Sequence, residues 1–170
     1  GAGTPGGVRG RRPIRQGALR TGRHPDVVGG LGQMRGAFGL LGEYSLQRET
    51  PTGPVAEKQT IQNWIADSYA EIQACRFMTL DAAHKIDAGD EARVEVSAIK
   101  FYAAKVLNDV IDRAVQVHGA RGLADETPLA QMLMHARGGR IYDGPDEVHR
   151  QVVAKRILRA FAKGDGWQFS

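Results

Sequence analysis

The sequence is poor in cysteine. Cys75 stands alone among 170 residues, so an internal disulfide framework is excluded and the composition fits a reducing compartment. On that ground the expected location is cytoplasmic. Cys75 sits in an apolar helical pattern, where a thiol serves more readily as a small core side chain than as a nucleophile. Long apolar runs are missing too, so no segment reads as a membrane span. The N-terminal stretch is rich in Gly and Arg and lacks the apolar region of a signal peptide. Aromatics make up 6% of the chain, and none falls among the arginines of the first 25 residues, so that stretch offers no stacking platform for RNA.

Acid is also absent from this stretch. Residues 1–25 carry six arginines (Arg9, Arg11, Arg12, Arg15, Arg20 and Arg23) and no Asp or Glu. The remaining residues hold 17 basic and 19 acidic side chains, so the formal net charge of +4 belongs to a tail. The body has no basic stripe, which argues against nucleic acid as a partner. Composition divides the chain into a basic Gly/Arg-rich segment over 1–30, a helical domain over 31–163 and a tail over 164–170. The first segment cannot bury enough apolar surface to offset its chain entropy and reads as disordered.

What is present beyond residue 30 is helical periodicity. Leu31, Met34, Phe38, Leu41 and Ser45 share one face of a first, glycine-weakened helix. ETPTGP, residues 49–54, is a turn. A long helix is expected from about Val55 to Asp87, with Trp64, Ile65, Tyr69, Ile72, Cys75, Thr79, Ala83 and Ile86 inward. The clearest stripe follows: Val96, Ile99, Ala103, Val106, Val110, Ala114 and Val117, closed by Gly119 and Gly122. A shorter helix starts near Pro128. The last runs from Pro145 to about Lys163, with Val148, Val152, Ile157 and Phe161 inward. No segment alternates as a strand does. The expected fold is all-α: a four-helix-type bundle with a shorter extra helix.

The five histidines are not paired at i, i+3 or i+4, so no metal site is expected, and each reads as a surface or helix-end residue. The stretch IYDGPDEVHR, Ile141 to Arg150, is the most unusual in the chain. Gly144 suits a sharp turn, Pro145 suits a first helical position, and Asp146 and Glu147 complement the helix dipole. Asp143 then lies just outside a helix N-terminus. Two readings stand: an ordinary helix start with an acid nearby, or a carboxylate aimed into a pocket.

Three longer stretches occur in a telling order: RETPTGPVAEKQTIQNWIAD, RAVQVHGARGLADETPLAQML and LAQMLMHARGGRIYDGPDEVHRQVVAKRIL. Together, over about residues 31–162, they resemble the C-terminal domain of the acyl-CoA dehydrogenase family. DGPDEVH and IADSYAEIQACRFMTLDAAHKID are most similar to the branch of family members ten and eleven. The resemblance implies a flavin enzyme that uses FAD, works as a dimer or tetramer, and passes electrons to an acceptor protein. It implies a reaction in which a carboxylate takes the α-proton of an acyl-CoA thioester while a hydride leaves from the β-carbon, giving a 2-enoyl-CoA.

By position, the resemblance makes Asp143 the base, with its own backbone N–H as a donor to the thioester oxygen. Much of the family has Glu there. Asp is one methylene shorter, so substrate must sit closer. Arg48 and Gln59 fall at flavin-contacting positions. Gln116 and Gly119 fall in the segment that lies on the flavin diphosphate across a subunit boundary, and Glu147 falls near the adenine end. Tyr142 and Gly144 fall at the acyl pocket. An arginine with which this branch binds CoA is replaced by Gly29. The alternatives are a non-catalytic helical interaction module with a basic tail for an acidic partner, and a relative of the acyl-CoA oxidases.

Overall fold

The computed structural model describes residues 11–169, with side chains described from Gly29 onward. Its centre is α3, Arg93–His118. Around it pack α1 (Arg11–Gln47), α2 (Gln59–Asp87), α4 (Leu129–Gly139) and α5 (Asp146–Lys163), and each of the four touches α3. The expected stripe explains why. Ile99, Ala103, Val106, Val110, Ala114 and Val117 are all buried, so α3 carries its apolar face through the middle of the bundle. Met34, Leu41, Ile111 and Leu129 complete the core at 0% exposure. The fold is all-α, as the periodicity implies.

The backbone of α1 already runs as helix from Arg11, through residues that composition reads as unstructured. The reading of residues 1–10 lies outside the described residues. Ser45 turns a polar side chain into the core at no cost in hydrogen bonding, because its Oγ donates to the Leu41 carbonyl at 2.6 Å. ETPTGP forms a two-residue antiparallel hairpin, Glu49–Thr50 (β1) with Gly53–Pro54 (β2). A short 3₁₀ turn over Val55–Glu57 follows, so α2 starts at Gln59 rather than at Val55.

The inward face of α2 follows most of the expected line: Cys75 and Thr79 are buried, and Trp64, Ile65 and Ile72 pack against the core. Tyr69 and Ile86 depart from it and are exposed. Ser68 and Ala82, small side chains that a pattern weighted by large apolar residues does not mark, are buried as well. The α2–α3 turn is braced by Lys85 of α2, whose Nζ lies 2.8 Å from Glu95 and 3.2 Å from Asp81. The hydrogen bond to Glu95 holds the Lys85 ammonium above its ordinary pKa.

Helix α5 departs further. Val148 and Phe161 are exposed, and Asp146 and His149 are the buried residues. Val152 and Ile157 are half-buried as the pattern implies, and the turn before α5 adds Asp146 and His149 to the inward side. Among the described residues no helix is long and apolar enough to cross a membrane.

Candidate functional site

The turn between α4 and α5 is built from both ends. At its start, the N–H groups of Ile141 and Tyr142 donate to the Gly138 carbonyl at 2.8 and 3.1 Å, which tightens the end of α4. Asp143 then adopts φ +54 and Gly144 φ +95. A left-handed Gly carries no steric penalty, whereas a left-handed Asp is an uncommon conformation that its surroundings must hold. Pro145 is extended (φ −63, ψ 158) and caps α5. It stands one residue before the helix, and Asp146 takes the first helical position expected for it. Its missing N–H still costs nothing.

Asp146 closes the turn. Its N–H donates to the Arg140 carbonyl at 3.2 Å, and Arg140 Nε donates back to its Oδ2 at 2.8 Å. Arg150 Nη1 lies 3.9 Å from the same oxygen. The Asp146 carboxylate is 2% exposed; Oδ2 carries the ion pair while the buried Oδ1 has no hydrogen-bond partner among the described residues, and the helix N-terminus favours the charge there. His149, also buried, lies beneath Asp143 and Gly144, with Nε2 3.3 Å from the Asp143 carbonyl. Asp143 itself is exposed. Among the described residues, neither its carboxylate nor its N–H is used by a hydrogen bond.

Lys100 of α3 was not anticipated. It is buried, and its Nζ donates to the Gly139 carbonyl at 2.8 Å, where a cation suits the last carbonyls of α4. The same Nζ stands 5.3 Å from the centre of the Tyr142 ring. That ring lies on Gly138 and Gly139. A Cβ at Gly138 would come within 3.2 Å of Tyr142 Cε1, and one at Gly139 within 3.6 Å of the hydroxyl. Beside them is a cleft of about 210 Å³ whose lining includes Gly29, Gln33, Lys100, His135 and Tyr142. The signal for Lys100 was present in the sequence: it follows Ile99 on the apolar face of α3, where an unpaired ammonium would be costly.

A second group of expected residues forms at the far end of α3. Arg48 leaves the end of α1, and its Nη1 donates to the Val117 carbonyl. The guanidinium lies 3.4 Å from where a Cβ of Gly119 would stand, and Gly119 caps α3 at φ +63. Arg48 and Gly119 are thus brought together. His118 stands at the helix end, one of the two placements expected for it, and is buried beside them, stacked on Tyr44 with ring centroids 4.1 Å apart. Its Nδ1 donates to the Ala114 carbonyl at 2.8 Å. Gly122 touches no open surface: a Cβ there would lie 2.8 Å from the Val115 carbonyl, so its small size serves packing.

Gln116 is exposed in the same region, in a cleft of about 230 Å³ shared with Trp64, Asp109, Asp112 and Arg113. Arg113 is already paired with Glu71 at 2.7 Å. Gln59 is the exposed first residue of α2. Glu147 is exposed in the first turn of α5, with the Asp143 group. The expected residues therefore form two groups. Lys100 and Gly119 are nineteen positions apart, about 28 Å along a helix.

Comparison with known proteins agrees with this architecture. The family model for the acyl-CoA dehydrogenase C-terminal domain matches residues 9–158, and the chain belongs to the acyl-CoA dehydrogenase family. It is 37% identical over 152 residues to acyl-CoA dehydrogenase family member 11 of Rattus norvegicus, covering 88% of this chain and 20% of that protein. It is 39% identical over 148 residues to family member 10 of Mus musculus, covering 86% and 14%. Among solved structures it is similar to butyryl-CoA dehydrogenase from Megasphaera elsdenii, with a TM-score of 0.78 and 32% identity over 83% of this chain and 37% of that one. The chain thus spans only a minor part of the length of these relatives.

Proposed function

We propose that this chain supplies the proton-abstracting base and part of the flavin site of an FAD-dependent acyl-CoA dehydrogenase. The observation that carries the reading is the left-handed Asp143, exposed on a turn braced from both sides, with its carboxylate and N–H both open. A carboxylate there takes the α-proton of an acyl-CoA thioester. The adjacent N–H meets the thioester oxygen as charge builds on it, so one residue supplies both the base and an oxyanion donor. Gly144 lets the chain turn away beneath the substrate. Tyr142, seated over Gly138 and Gly139, walls the acyl pocket. FAD, when bound, supplies the acceptor for the β-hydride.

The donor set at the end of α3 fits a flavin. Arg48 spends one N–H on Val117, and the absent Cβ of Gly119 makes room for its guanidinium, whose remaining donors on this exposed residue suit a phosphate oxygen. Gln116 shares its cleft with Asp109 and Asp112, so its amide suits a hydroxyl-bearing part of the cofactor better than the diphosphate. Gln59 adds an amide at the start of α2, whereas Glu147, at the start of α5, falls with the Asp143 group and would meet another part of the cofactor. The separation along α3 sets the Arg48 group far from Asp143. This supports a site shared between two copies of the chain, in a dimer or tetramer, with an electron-acceptor protein as the onward partner.

The test uses the chain supplied with the other domains of its relatives. Purified protein mixed with FAD and desalted is expected to stay yellow and to oxidise an acyl-CoA with an artificial electron acceptor. Asp143→Asn is expected to lower kcat by at least about a hundredfold while flavin is retained. Wild-type turnover by Asp143→Asn would end the assignment of the base. A second reading is favoured by the exposed apolar side chains Tyr69, Phe77, Val148 and Phe161: a non-catalytic assembly module. A helical protein that self-associates and stays colourless would support it.

A further inference from the structure

We propose that His149 is a positioning residue: its ring holds the Asp143 peptide in the left-handed conformation and so sets where the Asp143 carboxylate and N–H point. Any L-residue has right-handed and extended conformations of lower energy than the left-handed one, so the +54° φ of Asp143 has to be held by contacts around it. Three observations assign that role to His149. Its ring is 2% exposed and lies within α5, whose helical backbone fixes where the side chain starts. Its Nε2 is 3.3 Å from the Asp143 carbonyl. A carbonyl only accepts, so Nε2 carries the hydrogen and donates it.

The third observation is the space beneath the turn. A Cβ at Gly144 would stand 2.9 Å from His149 Nε2 and 3.6 Å from Cδ2. The ring is therefore packed directly against the two residues whose φ values are positive. The Arg140–Asp146 pair closes the turn from the other side but bonds to neither of them. Rotating the Asp143 peptide toward negative φ would turn its carbonyl away from Nε2 and break this bond.

The consequence for catalysis rests on the acyl-CoA dehydrogenase reading; the conformational claim does not. The first experiment therefore uses the 170-residue chain alone, by NMR. A left-handed residue brings its own amide and α protons unusually close, which gives a strong intraresidue cross-peak. Wild type and His149→Gln, which keeps an amide donor at similar reach, are expected to show that peak for Asp143. His149→Leu, which fills the space but cannot donate, is expected to lose it while the helical circular dichroism is unchanged. A folded His149→Leu that keeps the peak overturns the proposal, and so does a His149→Gln that loses it. If His149→Leu does not fold, His149→Phe takes its place, because it keeps a ring in the buried space and cannot donate to the Asp143 carbonyl. Retention of the peak there also overturns the proposal.

The second experiment uses the flavin-loaded enzyme. His149→Leu is expected to lower kcat about tenfold through misplacement of the base, with KM for the acyl-CoA within about twofold and with His149→Gln restoring the rate. An unchanged kcat in His149→Leu overturns the catalytic role. If Asp143→Asn turns over normally, it is the assignment of the base that fails, and the NMR result still decides the role of His149.

Discussion

Cys75 is 1% exposed in α2, and burial, reinforced by the nearby Glu71 carboxylate, pushes its thiol up to about 12 from 9.0. The neutral thiol is the form the fold accepts. Below pH 9 the thiol is protonated in both folded and unfolded chains, and its contribution to stability is fully present. As pH rises through the window up to about 12, the unfolded chain loses the proton first and stability falls. Urea midpoints between pH 8 and 11 are therefore expected to decline more steeply for wild type than for Cys75→Ala. Equal slopes would show that the thiol carries no such linkage. The same burial makes the thiol a poor nucleophile at neutral pH, which agrees with reading it from the sequence as a core residue.

Helix α1 carries glycines that nothing in the packing requires. Gly36 is exposed within a helix, and a Cβ there would meet no atom within 4 Å. Gly36→Ala is expected to raise stability by about 0.5–1 kcal/mol through helix propensity, measured by urea denaturation. No gain, or a loss, would reveal a contact of α1 made elsewhere. The elements themselves were largely legible in the sequence. The stripe of α3 was readable residue by residue because both its sides are covered within this chain. The faces of α2 and α5 were legible only in part. In α2 Cys75 and Thr79 were readable as inward, whereas Ser68 and Ala82 are small side chains that hydropathy undervalues. In α5 the apolar Val148 and Phe161 lie at the surface while Asp146 and His149 go inward. The site was half legible for a related reason. DGPDEVH marks the turn and its acid, and Lys100 stands out as a cation on the apolar stripe of α3, but which groups Lys100 and His149 meet, Gly139 and Gly144, is decided by the fold and shown by no local pattern.

At the scale of the whole molecule, the two groups of candidate residues, Tyr142, Asp143 and Gly144 in one and Arg48 and Gly119 in the other, sit at opposite ends of one central helix. The apolar side chains left exposed on α2 and α5 contrast with the covered stripe of α3.

That central position of α3 has a consequence in time. A helix that touches all four others cannot shed its hydrogen bonds by the opening of any single neighbour, so its middle turns belong to the last cooperative unit to come apart. In deuterated solvent the amide protons of Val106 to Ile111 are expected to exchange only as fast as the entire chain unfolds, with α5 exchanging well before them. Faster exchange in α3 than in α1 would mean that the bundle opens along its own axis.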